Sequence, residues 1–295
     1  MKLGLGTAQF GMPYGISNRL GQTTDEEVAR ILSLAAEKDI RVIDTAAGYG
    51  NSEEAIGRAV ESSWPGFRIV TKTPQFRLPA ISESEANLVE SAFRESLGRL
   101  KRPTVYGLLI HYANDLLVPG SDTLWNRMQC LKTSGLVEKI GVSVYHPAEA
   151  DDLIERRQLD LIQLPLNLLD QRFLKSGCLQ KLQRLGVEIH VRSVLLQGLL
   201  LMNAHELGDY FNPVKPTLQL FQQFCQERRI SRLEAALGFV CHLPQIASII
   251  CGVNNSGHLF QLIEAAQHAR SIDFSGFAFE DTRILTPSLW PNVTS

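Results

Sequence analysis

Short strand-like runs alternate with longer amphipathic runs along the whole chain. The short ones are Leu3 to Gly6, Arg41 to Asp44, Ile69 to Lys72, Gly107 to His111, Ile140 to Ser143, Leu161 to Leu164, Glu188 to Ser193 and Ala247 to Cys251. Their length and apolar content predict eight strands. Between them, helical patterns cover Thr24 to Lys38, Ser52 to Glu61, Glu83 to Leu100, Thr123 to Ser134, Pro147 to Glu155, Gly177 to Leu185, Thr217 to Arg228 continuing into Ser231 to His242, and Ser256 to Ala269. Thr24 before Asp25, Glu26 and Glu27, and Ser52 before Glu53 and Glu54, read as N-caps followed by carboxylates that suit the positive end of a helix. Strict alternation of strand and helix specifies a parallel sheet. Eight such units specify a closed (β/α)8 barrel, with a doubly wound open sheet as the alternative. Against the open sheet, the first turn Gly4-Leu5-Gly6-Thr7-Ala8-Gln9 matches only the opening of the GxGxxG fingerprint, and no acidic residue ends a strand near position 25.

Length alone leaves one or two domains open for 295 residues. The unbroken alternation favours one domain over 1–295, with a C-terminal tail from about 271 to 295. Lys+Arg 29 against Asp+Glu 31 gives a net charge of -2 with no basic run, which argues against nucleic-acid or anionic-membrane partners. The longest apolar stretch, Val194 to Met202, is interrupted by Gln197 and falls short of the roughly 18 residues of a membrane span. Gly4, Gly6, Gln9 and Gly11 break any signal-peptide core, so a cytoplasmic protein is expected, monomeric or weakly homo-oligomeric. Cys130, Cys178, Cys225, Cys241 and Cys251 lack metal-binding spacing and read as reduced core thiols.

In a barrel, chemistry collects where strands end. Strand two closes on Asp44, five residues before Tyr49; strand three closes on Lys72 and strand four on His111. A phenol with an ordinary pKa near 10 can protonate an oxygen anion, and a neighbouring ammonium such as Lys72 would lower that pKa toward neutrality. Asp44 would hold the lysine charged, and His111 would donate a hydrogen bond to a substrate carbonyl. The four together suit proton transfer to a carbonyl that receives hydride. Each also has an ordinary reading: an Asx turn for Asp44, a turn aromatic for Tyr49, a solvated strand end for Lys72 and a satisfied polar residue for His111.

The segment Asp44-Thr45-Ala46-Ala47-Gly48-Tyr49-Gly50-Asn51-Ser52-Glu53 resembles the DTAxxYGxSE signature of the aldo-keto reductases, and Gly4-Leu5-Gly6-Thr7 resembles their opening strand. The resemblance runs from about Leu3 to Ala265 and includes Thr71-Lys72, Ile110-His111, Gly141-Val142-Ser143, Gln163 with Asn167, and Gly198-Leu199-Leu200. It implies a (β/α)8 barrel with Asp44, Tyr49, Lys72 and His111 as catalytic tetrad. It further implies a nicotinamide dinucleotide lying across the barrel mouth without a Rossmann motif, NADP(H) first and NAD(H) as the alternative, and no metal. Carried over residue by residue, Gly6, Thr7 and Asp44 lie against the cofactor, and Ser143 and Gln163 bind its carboxamide. Ser193, Leu195, Gln197 and Gly198 lie under the pyrophosphate. Gly252, Val253, Asn254, His258 and Gln261 hold the adenosine end, where a helix N-terminus suits an anion.

Some positions depart from the family pattern. Val144 stands where many members have Asn, and Arg192 where many stack an aromatic ring on the nicotinamide; a planar guanidinium can stack instead. Gly252 and His258 replace the basic residues usual around a 2′-phosphate. Met1 almost directly precedes strand one, so the hairpin that plugs the barrel bottom in many members is expected to be missing. Phe10, Tyr14, Tyr112, Asn114 and the tail around Trp290 are candidates to face a small carbonyl or alcohol substrate, with loop packing as the other reading. A nucleotide-binding regulatory subunit without turnover is the rival function. An enzyme acting on a C=C bond is a third reading, disfavoured because it would be expected to alter His111.

Overall fold

The eight apolar runs form eight parallel strands, each paired with the next and β8 with β1, so that the sheet closes and the open-sheet alternative falls away. The computed structural model describes residues 2–59 and 66–291. The strands are β1 (Leu3–Gly6), β2 (Val42–Asp44), β3 (Arg68–Lys72), β4 (Val105–Ile110), β5 (Val137–Ser143), β6 (Leu161–Pro165), β7 (Glu188–Arg192) and β8 (Ser248–Gly252). His111 and Ser193 fall one residue beyond their strands rather than inside them. The registers Gly6↔Asp44 and Gly6↔Gly252 bring the C-terminal ends of β8, β1 and β2 to one level.

Helix boundaries follow local chemistry. The helix Asp25–Glu37 begins where Thr24 accepts the Glu27 N–H, and Glu83–Leu100 begins at a capping box between Ser82 and Glu85. The run after β7 is not continuous. Lys215–Arg228 stops at Arg229 in left-handed backbone, and Ser231 caps a new helix, Arg232–Cys241, through a capping box with Glu234. The helix from Ser52 is described to Ala59; positions 60 and 61 of the expected helix lie outside the described residues.

One apolar core fills the space between the outer strand faces and the helices. Phe10 is fully buried in it, so the expectation that this ring faces a substrate is corrected. A second core joins the loop and helices after β7 to the C-terminal segment. Trp290 belongs there, its indole N–H donating to the Ile284 carbonyl at 3.1 Å and its ring edge-on to Phe211. The tail therefore packs on the loop and helices after β7, and Trp290 is not among the residues lining the cleft. Cys130 is exposed, so it is not a core thiol; Cys178, Cys225 and Cys251 are buried. Among the described residues no helix is long and apolar enough to cross a membrane.

Candidate active site

A cleft of about 520 Å³ opens at the C-terminal ends of the strands. All fifteen residues expected along the cofactor line it: Gly6, Thr7, Asp44, Ser143, Gln163, Arg192, Ser193, Leu195, Gln197, Gly198, Gly252, Val253, Asn254, His258 and Gln261. Tyr49, His111 and Tyr14 line it too. Tyr112 and Asn114 do not: Asn114 donates to the Tyr112 hydroxyl at 3.0 Å, and the Arg77 guanidinium lies 4.8 Å over the Tyr112 ring. With Phe10 they leave the expected substrate set, of which Tyr14 remains.

Beneath the cleft, Lys72 is buried at 2% exposure, and its Nζ donates to Asp44 Oδ1 and Oδ2 and to the Thr45 carbonyl, each at 2.8 Å. All three ammonium donors are thereby spent, and Nζ stands 5.0 Å from the Tyr49 ring centroid. Burial pulls the Lys72 pKa below its ordinary value while Asp44 opposes the change. The Tyr49 hydroxyl is not brought toward neutrality. Burial and then the Asp44 carboxylate push its pKa up, and Arg192 is the cation that pulls the other way. The sequence-based expectation for this pair is therefore reversed, because the lysine charge is neutralised by its own carboxylate. The phenol stays protonated at neutral pH, which is the state a proton donor needs.

The Tyr49 and His111 rings meet edge to face with centroids 5.9 Å apart. Burial, followed by the charges of Lys72, Arg192 and Arg77, draws the His111 pKa down to about 3. At neutral pH His111 is thus a neutral imidazole with one N–H to give. The Tyr14 hydroxyl, on the same cleft wall as Gln197, accepts from Gln197 Nε2 at 3.3 Å.

Gln163 donates its Nε2 to Asp44 Oδ1 at 2.7 Å, which leaves Oε1 buried with no partner among the described residues. A buried orphan acceptor is a costly feature. Its neighbour in the β5–β6 register is Ser143. A carboxamide offers an N–H donor and a carbonyl acceptor, the complement of this pair, so the residues present fit a nicotinamide ring on this wall.

Arg192 projects into the cleft as strand alternation requires. Val187, Ile189 and Val191 pack in the outer core, which leaves Glu188, His190 and Arg192 on the inner face. Its guanidinium lies 4.1 Å over the Tyr145 ring and donates to the Val144 carbonyl at 3.0 Å and Ser193 Oγ at 3.3 Å. No carboxylate pairs with it among the described residues. Sequence reasoning missed Tyr145, which follows β5 by two residues; the aromatic two positions past Ser143 was the available signal.

The loop after β7 holds an unusual backbone. Ser193, Leu196 and Gln197 adopt positive φ (58°, 48° and 53°), and Gly198 follows at 91°. A Cβ at Gly198 would lie 1.9 Å from Ser17 Oγ, so only glycine lets this loop meet the segment after β1. Strain of this kind concentrates at ligand sites. Among the described residues no group of three or more His, Cys, Asp or Glu is placed to hold a metal ion.

Fold and cleft together define a (β/α)8 barrel with a cleft at the C-terminal ends of its strands. The profile of the Aldo/keto reductase family matches residues 2–274, and the chain belongs to that family. It is 34% identical over 137 residues to an aldo-keto reductase of Mycolicibacterium vanbaalenii, an alignment covering 46% of this chain and 47% of that one. The chain spans about half the length of this and several other curated relatives it matches. An uncharacterized oxidoreductase of Bacillus subtilis, YqkF, is 24% identical over 266 residues, covering 84% of this chain and 85% of the relative. Among solved structures, an aldo-keto reductase of Bacillus halodurans in its holo form superposes with a TM-score of 0.72 at 19% identity, covering 96% and 95% of the two chains. A glycerol dehydrogenase of Gluconobacter oxydans gives 0.67 at 22% identity, covering 90% and 86%. At these identities the structural likeness speaks for the fold.

Proposed function

We propose that the chain is a nicotinamide-dependent oxidoreductase that interconverts a small aldehyde or ketone with its alcohol. The carrying observation is the Tyr49 phenol set edge to face against His111 in a cleft floored by the buried Lys72–Asp44 pair. The cofactor supplies or accepts the hydride when bound. Gln163 Oε1 and Ser143 would take the carboxamide, and Arg192, already held over the Tyr145 ring, would lie along the nicotinamide or its phosphates.

The residues divide the proton chemistry between them. His111 donates its one N–H to the carbonyl oxygen and orients it, while Tyr49 delivers the proton as negative charge builds on that oxygen. Asp44 fixes Lys72 in place, and Arg192 is the cation that favours the phenolate left behind. In the reverse direction the phenolate takes the proton from the alcohol. A binding subunit would have no use for this arrangement, which favours the enzyme.

A panel of sugars and aromatic aldehydes assayed with NADH and NADPH tests the reading. On the best substrate, Tyr49→Phe should lower kcat by at least about 100-fold, the low end for general acid catalysis, with cofactor Kd nearly unchanged. Turnover close to the parent's would refute Tyr49 as the acid.

A further inference from the structure

Behind the residues that line the adenosine end of the cleft lies a charge that the local sequence did not reveal. Glu27 sits in the first turn of the helix Asp25–Glu37, far in sequence from β8. Its Oε1 nevertheless accepts from the backbone N–H of Ser256 at 2.5 Å and from Ser256 Oγ at 2.7 Å. Ser256 opens the twelve-residue helix Ser256–Gln267, flanked by the cleft-lining residues Asn254 and His258. The N-terminus of such a helix offers free N–H groups and a positive dipole end, and so attracts an anion. Here the Ser256 N–H is taken by Glu27 and the His258 N–H by Asn255 Oδ1 at 2.8 Å. The anion position is filled by the chain's own carboxylate.

A single cation pairs with it among the described residues. Glu27 Oε2 holds the Arg30 guanidinium at 2.6 Å, and that arginine side chain is 62% exposed. Arg19 and Arg192 are the Lys and Arg residues on the cleft wall, and neither forms an ion pair with Glu27. Burial would raise the Glu27 pKa, but the hydrogen bonds from Ser256 and Arg30 outweigh it and keep the carboxylate charged. Two orphan polar atoms mark the wall as a ligand surface. Asn254 Nδ2 is buried without a partner beside this terminus, and Gln163 Oε1 is likewise unpartnered elsewhere in the cleft.

We propose that Glu27 sets the cofactor preference of the cleft toward NAD(H), by placing a carboxylate where a 2′-phosphate would have to dock. The inference rests on the reading of the cleft as a nicotinamide dinucleotide site. A ribose bearing a free 2′-hydroxyl can donate to the carboxylate, and Asn254 Nδ2 can donate to a sugar oxygen; a phosphate dianion meets like charge and two helix N–H groups already committed.

Fluorescence titration of the full chain with NADH and with NADPH tests this without any turnover. The parent should bind NADH at least about tenfold more tightly than NADPH. Glu27→Gln keeps an acceptor of the same shape while removing the charge, and should narrow that ratio at least about threefold; Glu27→Lys should bring NADPH to parity or better. A parent that favours NADPH would overturn the proposal, as would a ratio unchanged in both Glu27 variants. A selective loss of NADPH binding in Arg30→Ala would also overturn it, since Arg30 would then serve the phosphate. Failure of either dinucleotide to bind would instead bring down the proposed function and this inference with it, so the two failures are told apart.

Discussion

Arg192 ends β7 with its guanidinium 4.1 Å over Tyr145 and 3.0 Å from the Val144 carbonyl. A structural arginine at a barrel rim would carry a carboxylate partner, and none stands beside it among the described residues. Its charge instead acts across the cleft on Tyr49, Lys72 and His111, opposing the upward pull of burial on the phenol and adding to the downward pull on the other two. Arg192→Lys keeps the charge but loses the planar guanidinium and its fork of donors. Cofactor Kd should weaken by roughly 1 to 3 kcal/mol, the scale of a charged hydrogen bond, with little change in melting temperature. Unchanged cofactor binding together with a lower melting temperature would assign Arg192 to the scaffold.

At the scale of elements, the signature from Asp44 to Glu53 divides into parts that perform chemistry and parts that hold the loop. Ser52 Oγ lies 2.8 Å from the Thr7 carbonyl and 3.1 Å from Thr45 Oγ1, which fastens the start of its helix under β1 and β2. Gly50, at φ 55°, permits the turn after Tyr49; a Cβ there would lie 2.2 Å from the Gly11 carbonyl oxygen. Glu53 is 1% exposed and accepts from Thr71 Oγ1 at 2.5 Å and from Arg99 Nε at 2.9 Å, tying three elements together next to Lys72. Glu53→Ala leaves buried Thr71 Oγ1 without its acceptor and Arg99 with only Ser96 and Glu95, and should cost about 2 kcal/mol in urea unfolding, the scale of a buried donor left unsatisfied. A loss below about 0.5 kcal/mol would show that the carboxylate is dispensable to the fold.

At the scale of the molecule, the barrel interior is polar at both ends and apolar in between. Val70, Leu109 and Leu161 fill the middle. At the opposite end from the cleft, Glu188 accepts from Tyr106 at 2.7 Å and Lys139 at 2.5 Å and pairs with His190 at 2.7 Å, linking β4, β5 and β7. Burial would raise the Glu188 pKa, but the hydrogen bonds from His190, Lys139 and Tyr106 prevail and hold it down at about 2. The folded pKa thus lies below the ordinary carboxylate value, near 4.3. Its stabilising contribution is complete above that value and is lost as pH falls toward 2. The stability gap between the parent and Glu188→Gln should therefore be widest at neutral pH and shrink as the solution is acidified below about pH 4.3. Urea midpoints at pH 7 and pH 3.5 measure it, and a gap that grows on acidification would contradict the assignment.

The sequence by itself determined the order and approximate limits of the eight strands and the helices between them, because apolar periodicity and caps are local and each element must bury one face. It also placed Asp44, Lys72 and His111 at strand ends, since the barrel puts every such end on one rim. Tertiary structure decided what depends on residues distant in the chain. Phe10 turned into the core and Trp290 into a second core; Tyr145 came under Arg192, and Glu27 came onto a helix that starts more than two hundred residues later. Electrostatics were decided there as well. That Tyr49 is raised rather than lowered follows from how deeply the phenol and ammonium are buried and from Lys72 spending its charge on Asp44, and neither depth nor pairing is written in the spacing of the residues.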